Sequence, residues 1–375
     1  MTGPGPAPTG AVAVGGRLER LRALLSEAGV DALLVSELAN IRYLTGFTGS
    51  AGLVLVAPDE AFLATDGRYR TQGAEQVQAA GAGRAVEVVV GGLAAQRDAL
   101  VGALGRSAVR RLGLEAHAIT WAEQRRWSEA ARAVMVVPTT GLVEGLRQVK
   151  DAAELERMAY AAALADAALA ETLAMLGTGP TEAEVALALD SAMRRLGAED
   201  RAFSTIVASG PNAAKPHARP GGRRITGGDP VVVDFGAVYD GYRSDMTRTF
   251  VVGGDPGPDL ARMWEVVAGA QQAGVGAVRA GVATGEVDRV CREWITAAGL
   301  GDAFEHGTGH GVGLDIHEAP SVGPGATAIL ANGIVVTVEP GVYVPGVGGV
   351  RIEDTVVVTE HGCRVLTNFP KDFVA

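Results

Sequence analysis

The chain has little cysteine: two in 375 residues, Cys291 and Cys363, far apart in sequence. This excludes a disulfide framework and fits a reducing compartment, so both are read as ordinary buried thiols and the expected location is cytoplasmic. Positive charge is not in excess either. With 33 Lys and Arg against 43 Asp and Glu, the formal net charge of −10 offers no broad basic surface to a phosphate backbone or an anionic bilayer, and no nucleic acid partner is expected. No long unbroken hydrophobic run is present. The most apolar stretch, residues 158–176, is mostly alanine and is interrupted by Asp166 and Glu171, which suits an amphipathic helix and gives no membrane anchor. Residues 1–16, rich in Gly, Pro and Ala, lack both a basic n-region and a sustained apolar core, so they read as a disordered tail and not as a secretory signal.

What is present is an alternation of helical and extended patterns over a length that predicts two domains. Leucines at 18, 21, 24 and 25 have helical spacing, and the apolar run 32–35 reads as a buried strand. Similar runs at 52–56, 61–64 and 86–90, with a helix-compatible stretch at 69–81, predict a small α/β domain ending near Pro138. The charged segment 146–155 leads into a long helix that Asp151 can cap, which places the domains at 17–140 and 141–375. A second helix starts after Thr181, with Glu182 and Glu184 in its first turn, where the helix dipole favours anions. Helices over 260–280 and 284–298 follow. With strands at 204–208, 231–235, 246–252, 334–338 and 350–358, the second domain reads as α+β, its helices covering one curved, mostly antiparallel sheet.

Chemistry concentrates in two hairpin-like constructions. Asp234 closes the run Val231-Val232-Val233, and Asp245 follows across Tyr239-Asp240-Gly241-Tyr242, so that positions equidistant from the turn would set the two aspartates opposite one another. Glu339 likewise ends the run 334–338, and Glu353 lies beyond Pro345-Gly346-Val347-Gly348-Gly349, with Gly346 at the midpoint. Four acids beside buried β-branched runs would drive one another toward protonation unless a cation intervenes. Two divalent metals would neutralise them. Oxygen-rich ligation with one imidazole suits Mn, Co or Zn without selecting among them. Four of the six histidines, His217, His306, His310 and His317, fall in this domain within potential active-site segments. The stretch His306-Gly-Thr-Gly-His310-Gly-Val-Gly is too glycine-rich for a zinc-binding helix and reads as a loop approaching a ligand closely. Asp234-Phe235-Gly236 spells the kinase magnesium triplet, but neither a catalytic-loop signature nor a phosphate loop accompanies it.

These motifs resemble the metallopeptidases of the pita-bread fold, a group that includes methionine aminopeptidase, aminopeptidase P, prolidase and creatinase. The matching stretches are Val233-Asp234-Phe235-Gly236, Ser244-Asp245-Met246-Thr247-Arg248-Thr249, residues 306–318, Val338-Glu339-Pro340-Gly341 and Gly349-Val350-Arg351-Ile352-Glu353-Asp354. Tyr43-Leu44-Thr45-Gly46-Phe47 and Asp66-Gly67-Arg68-Tyr69 look like the N-terminal, creatinase-like domain of the proline-specific members, so the likeness spans residues 17–370. The resemblance implies that Asp234 binds one metal, that His310 and Glu339 bind the other, and that Asp245 and Glu353 bridge both. It implies a metal-activated water as nucleophile and Glu339 as the acid/base that carries the proton to the leaving nitrogen. His217 would bond the scissile carbonyl or its developing oxyanion, His317 would contact substrate near the cleaved bond, and His306 would line the proline pocket. Arg351 organises the site, meets a substrate carboxylate, or forms a plain salt bridge to a ligand acid.

The implied activity is that of an Xaa-Pro aminopeptidase acting on peptides with proline second, with an Xaa-Pro dipeptidase as the alternative within the class. A creatinase-like C–N hydrolase and a silent binding module are disfavoured by the complete ligand set. A homodimer is also implied.

Overall fold

A computed structural model of the chain describes residues 4–372. The backbone divides into two compact units, residues 9–147 and residues 148–372 with residues 4–8. Of the tail expected over 1–16, residues 1–3 lie outside the described residues. The part nearest the first helix is packed: Val14 is buried and its N–H donates to Ala80 O at 3.0 Å.

The smaller unit runs α1 (Arg17–Glu27), β1 (Ala32–Val35), α2 (Leu38–Thr45), β2 (Gly52–Val56), β3 (Ala61–Thr65), α3 (Arg70–Ala79), β4 (Glu87–Val90), α4 (Leu93–Arg106), β5 (Arg111–Glu115), α5 (Trp121–Ala130), β6 (Met135–Thr139) and α6 (Leu142–Arg147). Its six strands form one sheet in the order β4-β3-β2-β1-β5-β6. The β1–β2 and β2–β3 pairs are antiparallel and the other three are parallel. Strands β1 and β3 are buried at every position, which is why they read as unbroken apolar runs without alternation.

The larger unit opens with α7 (Ala152–Thr172) and α8 (Glu182–Leu196), each with a reciprocal capping box, Asp151 with Glu154 and Thr181 with Glu184. Helix α7 and the turn after it are long and apolar enough, by length and composition, to cross a membrane. Here its small side chains, Ala165 and Ala168 among them, pack into a core with Leu189 of α8. That core lies against β9 (Pro230–Phe235) and β12 (Met246–Val251), which form one three-stranded antiparallel sheet in the order β12-β9-β8, with β8 at Ile206–Ser209. Short strands β7 (Asp200–Arg201), β10 (Ala237–Tyr239) and β11 (Tyr242–Arg243) form a second sheet.

Helices α9 (Pro258–Ala277) and α10 (Thr284–Ala297) cover a second core, in which Val267 and Cys291 meet Val336, Val338 and Val356. The sheet beneath them has the order β14-β13-β15-β18-β19, where β13 is Gly309–Gly311, β14 Glu318–Val322, β15 Val335–Val338, β18 Asp354–Val358 and β19 Cys363–Val365. A separate hairpin joins β16 (Gly341–Val344) to β17 (Gly348–Arg351). The single sheet expected from the sequence is thus four hydrogen-bonded ladders, and the strand expected over 350–358 is broken at Ile352-Glu353. The α+β class holds, with antiparallel pairing throughout the larger unit.

The two cores are close-packed up to the site. A Cβ added to Gly274 of α9 would press on Cys291 Sγ and lie 2.9 Å from Val338 Cγ1, whereas one at Gly276 would meet nothing within 4 Å. Replacing a helical glycine by alanine ordinarily gains about 0.5–1 kcal/mol, and forcing a methyl into a filled core costs about 1–3 kcal/mol. Gly274→Ala is therefore expected to lower stability while Gly276→Ala leaves it unchanged or raises it. Urea unfolding of the two variants checks the opposite signs.

Candidate metal centre

The first pair of acids comes from the β9–β12 arm. Asp234 pairs with Thr247, not with Asp245, so the aspartates sit diagonally on one face of the ladder and not directly opposite as the midpoint argument predicted. The turn explains the shift. Asp240 and Gly241 both have positive φ, 44° and 71°, the signature of a two-residue type I′ hairpin, and Tyr239 pairs with Tyr242 across it. The turn is centred half a residue beyond Asp240, one residue past the assumed midpoint.

The second pair follows the expected register. Val338 pairs with Asp354 and Gly341 with Arg351, so a common register runs through both ladders and sets Glu339 across from Glu353 at the break between them. The two halves are stitched together here. Glu353 N–H donates to Thr247 O at 3.1 Å, Thr247 Oγ1 donates to Glu353 Oε2 at 2.7 Å, and Thr355 Oγ1 donates to Asp245 O at 2.7 Å.

His310 enters from β13. Its Nδ1 lies 3.0 Å from Gly311 O, an acceptor only, so Nδ1 carries the proton and Nε2 is left with a free lone pair. Nε2 points to Asp245 Oδ2 at 3.6 Å and Glu339 Oε1 at 3.4 Å. Ligand atoms of Asp245, His310 and Glu353 all lie within 4.8 Å of one another. Asp234 borders this group, with Oδ2 held by Arg351 Nη2 at 2.6 Å. Its Oδ1 and Glu353 Oε1 are buried and accept no hydrogen bond among the described residues. Buried carboxylate oxygens without donors, beside an imidazole nitrogen with a free lone pair, fit a divalent cation.

The electrostatics agree. Burial, then the charges of Glu353, Asp234 and Glu339, push Asp245 well above the usual carboxylate range. Burial, then Glu339 and Asp234, do the same to Glu353. Burial pushes Glu339 up to about 7 against the pull of Arg351. Burial also lowers His310, keeping it neutral as a ligand must be. A cation reverses the carboxylate shifts, because its field favours the ionised forms.

The remaining candidates surround a cavity of about 1020 Å³ that Asp234, Asp245, His310, Glu339 and Glu353 also line. His217 and His317 are exposed on its wall, and the His317 ring meets His310 edge to face at 4.4 Å. The neighbouring Glu318 forms a buried ion pair with Lys150 at 3.1 Å, which anchors the start of β14. His306 donates from Nδ1 to Gly307 O at 2.7 Å and accepts at Nε2 from Tyr343 Oη at 2.9 Å; burial lowers it to about 4. Arg351 is buried, and its guanidinium is spent on Asp234, Thr247 Oγ1, Pro216 O and Tyr343 Oη. Of the roles considered for Arg351, the salt bridge is present, and the acid it holds is Asp234 and not the adjacent Glu353.

Three polar residues escaped the sequence reading. Thr247 supports Glu353; Thr337 Oγ1 accepts from His310 N–H at 3.0 Å and donates to Glu339 Oε1 at 3.1 Å; Tyr343 links Arg351 to His306. For the threonines a signal existed, since each stands two residues from a site acid and so on the same strand face.

A ring of acids around one imidazole, set at the junction of two antiparallel halves, defines a metal-dependent hydrolase. Residues 156–360 match metallopeptidase family M24 and residues 17–149 match the Creatinase/Prolidase N-terminal domain, so the chain belongs to family M24 and is a metallopeptidase. It is similar in structure to a protein described as Xaa-Pro dipeptidase from Bacillus anthracis, with 40% identity, TM-score 0.92, and coverage of 96% of this chain and 99% of that one. It is also similar to an X-Pro aminopeptidase from Thermotoga maritima, with 34% identity, TM-score 0.86, and coverage of 95% and 100%. In sequence it is 34% identical over 359 residues to an Xaa-Pro dipeptidase of Pyrococcus furiosus, covering 96% of this chain and 99% of that one.

Stability should report the cation directly. Glu339, Asp245 and Glu353 hold protons more tightly folded than unfolded, so without a cation the folded state is stabilised at low pH and loses stability as pH rises through these raised values. Chelator-stripped protein is expected to melt at a lower temperature at pH 8 than at pH 5.5, and added Mn should raise Tm more at pH 8. An equal Tm gain at both pH values would place the bound cation elsewhere.

Proposed function

We propose that this metallopeptidase hydrolyses the bond preceding a proline, with Asp234, Asp245, His310, Glu339 and Glu353 holding two divalent cations. The carrying observation is the convergence of these five side chains with two donorless buried carboxylate oxygens, Asp234 Oδ1 and Glu353 Oε1. The proline preference rests on the names of the similar proteins. Manganese is the first choice of metal, Co and Zn the alternatives, since oxygen-rich ligation with one imidazole suits all three.

The cations would supply an activated water at neutral pH and charge stabilisation for the carbonyl oxygen. The chain's own residues do the rest. Glu339 keeps 18% of its side chain exposed to the cavity and is the acid/base that passes a proton to the leaving nitrogen. The proline nitrogen, tertiary in the peptide, leaves as a secondary amine and so gains one proton as the bond breaks, which Glu339 is placed to deliver. His217 is the donor to the carbonyl oxygen as negative charge builds on it, and His317 contacts the substrate beside the cleaved bond. His306, tied through Tyr343 to Arg351, presents its ring to the proline side. A cytoplasmic homodimer is the working form we assign; both cysteines are free, which suits a reducing compartment.

Of the two forms of the activity, the names of the relatives above favour the dipeptidase. The cavity favours the aminopeptidase, because about 1020 Å³ stands at the upper end of small-ligand sites and has room beyond a dipeptide. The deciding experiment is hydrolysis of an Xaa-Pro dipeptide and the matching Xaa-Pro-Yaa tripeptide by stripped protein, with and without Mn, Co or Zn. The dipeptide is expected to be cleaved only with metal, and Glu339→Gln is expected to lose about 100-fold or more in kcat. Equal or better kcat/KM on the tripeptide would make the enzyme an aminopeptidase. Cleavage of neither with any metal would remove the proline-specific reading.

A further inference from the structure

The segment that carries His217 joins β8 to β9, and its base is closed by one buried carboxylate. Glu182, the first residue of α8, has no exposed surface. Its Oε1 accepts from Ser209 N–H and Ser209 Oγ, both at 2.8 Å, and from Asn212 Nδ2 at 3.0 Å. Its Oε2 accepts from Asn212 Nδ2 at 3.2 Å and from Gly221 N–H at 3.2 Å. The backbone continues the seam, with Glu182 N–H donating to Arg223 O and Ala183 N–H to Gly221 O, each at 3.0 Å. One side chain thus ties both ends of the loop, Ser209 and Gly221, to the end of a helix.

The two backbone bonds satisfy first-turn N–H groups of α8, but none of the bonds to the Glu182 carboxylate serves the helix itself. The capping box of α8 is complete without Glu182: Thr181 Oγ1 accepts from Glu184 N–H, and Glu184 Oε2 accepts from Thr181 N–H. Midway along the loop, Pro216 O accepts from Arg351 Nη1 at 3.2 Å, the same guanidinium that holds Asp234. The His217 ring is exposed and makes no hydrogen bond among the described residues, so its place on the wall of the cavity that the carboxylates line is inherited from the loop backbone. Donors converge on Glu182 from three residues of the loop region, and a carboxylate offers acceptors only. An amide of the same shape would turn its NH2 against one of those donors.

We propose that Glu182 is a positioning residue that sets His217 over the metal centre. The proposal rests on the reading of His217 as the donor to the carbonyl oxygen, and its test separates the two. A donor displaced by about 1 Å costs up to about 100-fold in rate. In Mn-loaded enzyme, Glu182→Gln is expected to lower kcat on the Xaa-Pro dipeptide by about 10- to 100-fold, with KM and Mn affinity within about twofold of the parent. The Glu182→Gln/His217→Ala double variant should be no slower than His217→Ala alone, because a residue acting through His217 has nothing left to position. Glu184→Gln, which weakens the cap at a residue with no hydrogen bond to residues 209–221, should lower Tm and leave kcat unchanged.

Hydrogen exchange gives a readout that needs no turnover: Glu182→Gln should lose protection over residues 209–221 and keep it over 230–235. Losses that add in the double variant would overturn the proposal, as would unchanged kcat or unchanged exchange in Glu182→Gln. If His217→Ala alone is as fast as the parent, the role given to His217 fails, and a slow Glu182→Gln in that background overturns the positioning role as well. If no variant and no parent turns over any substrate, the exchange pattern alone decides.

Discussion

Crowding of negative charge in a place that water barely reaches is the constraint around which the larger unit is built. Asp245 and Glu353 are buried, and burial together with the charges of Asp234 and Glu339 pushes both toward protonation. Left alone, such a group would be ruinous to fold, since each desolvated charge costs several kcal/mol. The surroundings answer it at each acid separately. Asp234 has Arg351, Glu353 has Thr247, and Glu339 has Thr337. The oxygens left over face inward, where a divalent cation balances what the protein's own donors do not.

The larger unit is made of two halves with the same logic. Each has a pair of helices over an antiparallel ladder, its own apolar core, and a pair of acids where the ladder leaves that core. Neither half alone gathers more than two of the acids. The seam from Thr247 to Glu353 and from Asp245 to Thr355 brings the pairs together, and the buried Arg248–Asp354 ion pair at 3.0 Å runs alongside it. The register across this seam is what turns two ordinary hairpins into one centre, because a shift by one residue would turn the acids to the opposite face.

Local features of this arrangement were legible in the sequence, and long-range ones less so. Helix starts at Asp151 and Thr181 follow from capping chemistry that acts within four residues, and β9 and β15 follow from runs of valine. The four acids among the proposed ligands stood out because acids next to buried β-branched runs need an explanation, while His310 followed from the family resemblance. The diagonal placement of Asp234 and Asp245 was missed because the register of a hairpin depends on which two residues take positive φ, and counting to the midpoint ignored the Asp240-Gly241 signal. The break at Ile352-Glu353 was hidden because both sides are apolar and extended; only the partner strands change, from β16 to β15. The bonds of Arg351 were beyond reach for another reason. They join residues 135, 117, 104 and 8 positions away, and nothing local records them.

The way the chain's end is fastened has a consequence for its birth. Asp166 of α7 accepts from Asn368 N–H at 2.8 Å and Phe369 N–H at 3.1 Å, while the buried Arg248 guanidinium donates to Phe369 O at 2.7 Å and also to Thr247 O at 3.0 Å. A ribosome delivers the first half and its two aspartates well before it delivers Glu339, Glu353 and the fastening at residue 369. At about 5–20 residues per second, the gap between Asp245 and the last fastening residue spans several seconds. Throughout that interval the nascent protein carries half a centre with the β12 side of the seam open. The larger unit is therefore closed only once residue 369 has emerged, and a chain cut short before it would carry every proposed metal ligand and no clasp to hold them.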